Sequence, residues 1–189
     1  MATATMHLTD YNESERADYM VVVAAMASHG GLTSEELMVI RELCMRYVLG
    51  PDARGRVMAA SNTPPHDLEH TIKHLGHTRL KHSLFVDICV MGFVHGSPNP
   101  AALVEIQHIA DLLGLSKPEV DAVEKLAALL SPANQKPASE PQVEKALETI
   151  EQAGVPHGAI ALSATLMSLH NDEHAPVKEA LSARHAKTR

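Results

Sequence analysis

The chain has 189 residues, 45% of them hydrophobic and 21% charged, with a formal net charge of −7. That suffices for one globular domain with its own core, and the acidic balance argues against a general nucleic-acid binder. Aromatic residues make up only 3% and Trp is absent. The core must therefore be built from Leu, Ile, Val, Ala and Met, which favours packed helices.

Asn12-Glu13-Ser14-Glu15 can cap a first helix running through Tyr19 and Val21 to Ala27, and Gly30-Gly31 ends it. Thr33-Ser34-Glu35-Glu36 reads as a capping box for a second helix. That helix carries Leu37, Ile40, Leu43, Cys44 and Tyr47 on one face until Gly50-Pro51 stops it. A short helix is expected over 54–62, and Thr63-Pro64-Pro65 is expected to start another, broken near Gly76. A longer apolar helix covers roughly 80–94, and Asn99-Pro100 starts the next. Ser116-Lys117-Pro118-Glu119 is a further capping box, for a helix ending at Leu130. No stretch shows sustained strand alternation.

The domain is placed at 1–131, with a Pro-rich linker at 132–142 and a helical extension at 143–189. In the extension, Val143 to Ala153 and Val155 to Leu169 read as a helical hairpin expected to pack on the main domain. A last helix follows Pro176 and ends in a basic tail of Lys178, Arg184, Lys187 and Arg189. Cys44 and Cys89 fall on apolar faces and read as buried free thiols. Met20, Met26, Met38, Met45 and Met91 are likewise expected in the core. Residues 1–10 lack the layout of a secretion signal, and no window reaches ~18 uninterrupted apolar residues. A cytoplasmic location follows as the expectation.

The chain also repeats itself. Shifted by 66, His29-Gly30 falls on His95-Gly96, Leu37 on Leu103, Ile40 on Ile106, Leu43 on Ile109 and Leu49 on Leu115. Each copy, about 13–62 and 80–130, is an apolar helix, a glycine break and an amphipathic helix. The expected architecture is an all-α compact bundle with an internal pseudo-twofold repeat, plus the C-terminal helical hairpin.

Two breaks, Ser28-His29-Gly30-Gly31-Leu32-Thr33-Ser34-Glu35-Glu36 and Val94-His95-Gly96, and the run Ile109-Ala110-Asp111-Leu112-Leu113-Gly114-Leu115-Ser116 carry a resemblance. Over about 18–130 the chain resembles the TerB-like family of bacterial tellurite-resistance and stress proteins. The resemblance implies an internally duplicated helical fold, divalent cations at acidic breaks, and a stress-response role beside protein partners, often membrane-associated. Where the family has aspartates, this chain has His29 and His95; Glu36 keeps the following carboxylate, and Ala102 replaces its counterpart.

If the breaks meet, His29, Glu36 and His95 offer two imidazoles and one carboxylate. That set suits zinc, nickel or another transition metal better than calcium. The plain alternative is that each histidine satisfies the last carbonyls of its helix while Glu36 serves its capping box. A second candidate is the stripe His66, His70 and His74, one helical turn apart, with His77 next. It reads either as an i, i+4 metal clamp or as a solvated face that is rich in His. His170-Asn171-Asp172-Glu173-His174 reads chiefly as a helix-ending turn.

No phosphate-binding glycine loop, nucleophile elbow or Cys-x-x-Cys occurs. His-x3-His spacing resembles that of di-iron bundles, yet the paired carboxylates they need are missing. Taken with these absences, the resemblance implies a non-enzymatic stress-response module that binds a divalent metal and relays its state to a protein partner. A metal-free scaffold for protein–protein interaction is the alternative, and a metal-dependent hydrolase the minor one. The oligomeric state stays open.

Overall fold

The computed structural model describes residues 10–28, 33–93, 98, 100–131, 134, 136, 138–156 and 159. All regular structure among them is helical: α1 (Glu13–Ala27), α2 (Ser34–Arg46), α3 (Pro51–Ala60), α4 (Leu68–Gly76), α5 (Lys81–Gly92), α6 (Pro100–Leu112), α7 (Lys117–Leu130) and α8 (Glu140–Gln152). The all-α expectation holds.

α1 and α5 form the centre. Tyr19 to Ala25 on α1 and Ser83 to Cys89 on α5 are buried without interruption, the mark of helices covered on every side. α1 packs against α3, α4, α5 and α2; α5 packs against α7 and α6 as well as α1. α8 lies on α7 and sends Val143, Leu147 and Ile150 into the same core.

The ends of the helices follow their local chemistry. Asn12 and Glu15 close a reciprocal capping box on α1, with the Asn12 side chain accepting from the Glu15 amide at 2.9 Å. On α7 the Ser116 amide and hydroxyl both donate to the Glu119 carboxylate at 2.7 Å. Gln142 takes the same place for Ser139 on α8, so that helix begins within the Pro-rich segment read as linker. The helix expected from Arg54 starts instead at Pro51, which occupies the first turn, where a missing N–H costs nothing. Glu13 of α1 accepts the Gly50 amide at 2.7 Å and ties that helix start to the centre.

α4 begins later than expected. Each proline disfavours helical backbone in the residue before it, so Thr63 and Pro64 stay outside the helix and Asp67 becomes the N-cap of Leu68–Gly76. Its far end lies hard against α6. A Cβ on Gly76 would stand 3.1 Å from the Leu113 backbone, so only glycine permits this approach without adjustment.

α2 and α6 have bounds that differ by 66 at both ends. They also stop in the same way. Leu49 donates to the Cys44 carbonyl at 3.0 Å and Val48 to Met45 at 3.1 Å; Leu115 donates to Ala110 at 3.0 Å and Gly114 to Asp111 at 3.1 Å. The residue at the turn is left-handed in both, Val48 at φ 54° and Gly114 at φ 67°.

Candidate functional site

Of the expected cation site, His29 and His95 lie outside the described residues. Glu36 falls in the first turn of α2, and its side chain is likewise outside the description. The helices that follow the two breaks, α2 and α6, are the pair with matching bounds.

The histidine stripe is placed in part on a helix. His70 and His74 stand one turn apart on the exposed side of α4, opposite buried Ile72 and Leu75. His66 precedes the helix in a turn where Leu68 donates to the Pro65 carbonyl at 3.1 Å. α4 runs through Gly76, and His77 is its exposed C-cap, in helical backbone directly after the last turn. Glu69 bridges instead to α6, 3.4 Å from His108, and lies 3.9 Å from Lys73. Among the described residues no three His, Cys, Asp or Glu side chains gather as a metal site would need.

A buried polar cluster sits where the sequence showed only apolar helices. Asp87 of α5 is fully buried and accepts a hydrogen bond from the Tyr19 hydroxyl of α1. Burial first, then the Asp87 charge and the neighbouring Tyr47, then the hydrogen bond itself hold the Tyr19 proton well above its ordinary pKa. Tyr47 lies close enough to feel the same carboxylate, and burial also raises its pKa. The Tyr47 hydroxyl is buried and finds no hydrogen-bond partner among the described residues. A lone acid inside the run Leu84 to Val90 was the available signal.

A second polar link joins α5 to α7. His82 Nε2 lies 2.8 Å from Glu119 Oε1, both side chains largely buried. Burial alone would raise the Glu119 carboxyl. Hydrogen bonds from the Ser116 hydroxyl and amide and from His82 outweigh it and lower its pKa to about 2. The carboxylate thus holds a helix cap and a neighbouring helix together.

Both cysteines are free and buried. Burial pushes the Cys44 thiol up to about 11, against the opposing pull of Arg54, and burial with the nearby Glu124 charge also holds the Cys89 thiol well above its ordinary value. Neither is a ready thiolate near neutral pH.

The surface corrects one expectation. Met38 and Met45 are not core residues: they are 66% and 62% exposed, and Val48 at the end of α2 is 67% exposed. Ile40, Leu43, Cys44 and Tyr47 fill the buried side of that helix, and residues seven apart on the other side necessarily face out. α6 repeats the pattern more weakly, with Val104 71% and Leu103 39% exposed. No described helix is long and apolar enough to cross a membrane. No family model, curated protein or solved structure matches the chain.

Proposed function

We propose that this chain is a non-enzymatic helical module that works by docking on a protein partner through exposed apolar helix faces. The observation carrying the reading is the exposure of Met38, Met45 and Val48 at α2, with Leu103 and Val104 on α6. Apolar side chains grouped on one exposed face mark docking sites, and Met is enriched at the core of protein–protein interfaces. The resemblance of the two helix breaks to those of the TerB-like family is what suggests a stress-response setting. Charging both faces with Met38→Glu and Val104→Glu should change folding stability by no more than about 0.5 kcal/mol, as exposed sites do. It should abolish capture of the partner in affinity purification. An unchanged set of captured proteins would sink the reading.

A second reading keeps His29, Glu36 and His95 as a site for zinc or nickel. What favours it is that both breaks precede helices with matching bounds and matching C-terminal hydrogen bonds. A cation bound only by the folded chain raises its melting temperature. Chelator-stripped protein should therefore melt higher with zinc or nickel, and His95→Ala should lose that rise. The same rise in the variant would dismiss the site.

A further inference from the structure

The exposed face of α2 carries a pattern its counterpart on α6 lacks. At about 100° per residue, Met38 and Met45 fall on one line along the helix, with Arg41 and Glu42 roughly 50° to either side, midway between them. All four are exposed, while Ile40, Leu43 and Cys44 opposite them are buried. The matching places on α6 hold Val104, Gln107, His108 and Asp111. There Gln107 bonds to Asp111 at 3.1 Å, and His108 reaches Glu69 of α4 at 3.4 Å. α6 thus meets the same positions with polar contacts and a neighbouring helix, where α2 keeps two methionines that stay largely exposed although Arg54 of α3 donates to the Met45 sulfur at 2.8 Å.

We propose that this face joins two copies of the chain, with the α2 helices packed in parallel about a twofold axis running along them. The inference rests on the reading of α2 as a docking face and names its occupant. In such a pair Met38 meets Met38 and Met45 meets Met45 of the second copy. The twofold also brings Arg41 of each copy beside Glu42 of the other, so two opposite-charge pairs flank one apolar seam. An antiparallel pair would set Arg41 against Arg41 and Glu42 against Glu42, which repulsion disfavours. The self-complementary order Met-x-x-Arg-Glu-x-x-Met is what selects a copy of this chain as the occupant. One helix of 13 residues offers less than the ~800 Å² per partner of a standard complex, so the association is weak, with a Kd of about 0.1 mM.

The full-length chain should dimerise in sedimentation equilibrium between about 10 µM and about 1 mM. Arg41→Glu and Glu42→Arg should each raise the Kd about tenfold by setting like charges on both flanks. The double variant R41E/E42R should return to the wild-type Kd, and so should an equimolar mixture of the two single variants. A wild type that stays monomeric at the highest concentration overturns the proposal. Single variants that associate like wild type, or that fail to recover on mixing, overturn the parallel pairing. A photo-crosslinking side chain in place of Met38, used in cells, separates this from the broader reading. The expected product is a crosslink between two copies. Capture of a different protein, or of residues 160–189 of the same chain, leaves a docking face standing but overturns the second copy as its occupant. No crosslinked product at all overturns both.

Discussion

Asp87 and its two phenols show how unequal similar-looking buried groups can be. Tyr19 donates to the carboxylate, whereas the buried Tyr47 hydroxyl has no partner among the described residues. Tyr19→Phe would leave a buried carboxylate short of a donor, at a cost of about 2–4 kcal/mol. Tyr47→Phe removes an unsatisfied hydroxyl and should be neutral or stabilising by up to about 1 kcal/mol. Urea denaturation of both variants checks this; equal losses would mean the two hydroxyls play equal parts. The sequence displayed Asp87 as an oddity in an apolar run but could not supply its partner. Tyr19 lies 68 residues away, and no local pattern links the two.

At the scale of the element, the turns after α2 and α6 differ in one telling respect. Both need a left-handed residue, and α6 uses Gly114 whereas α2 uses Val48, a β-branched side chain strained in that conformation. Val48→Gly should therefore stabilise the fold by about 1 kcal/mol and Gly114→Ala should destabilise it by a similar amount, both read from thermal melts. Loss of stability in Val48→Gly would show that the valine makes packing contacts worth more than its strain. Helix ends governed by capping residues were legible in the sequence: Asn12 for α1 and Ser116 for α7. The starts of α3 and α4 were not, because a proline both opens one helix and holds residues out of another. Met38 and Met45 were misplaced in the core for a different reason. An apolar side chain on an amphipathic helix can face either way, and which way depends on the neighbouring helices.

For the whole molecule, the displaced pKa values set the pH range of stability. Tyr19, Tyr47, Cys44 and Cys89 are all raised from ordinary values of 10.0 for the phenols and 9.0 for the thiols. Their contribution is complete below those values and is lost as the pH rises through the folded-state values. Glu119 runs the other way: its contribution is present above its ordinary 4.5 and is lost as the pH falls toward about 2. Glu119→Gln should lower stability at neutral pH and flatten the acid limb between pH 4.5 and about 2, measured by urea midpoints across the range. An acid limb unchanged in the variant would assign it to other carboxylates. The helical class was readable from composition and periodicity alone. The α1–α5 centre and its polar link were not, since they depend on which helices meet.

That link also bears on how the chain could be divided. A cut in the connection between α3 and α4 would leave the Tyr19 phenol on one fragment and the Asp87 carboxylate on the other. Each fragment would keep the sequence of its own helices, yet the central helix of each would expose a face that only the other can cover. Neither piece could close its interior alone, so the two parts of this chain are obligate complements, and a gene split at that point would yield products that fold only in each other's company.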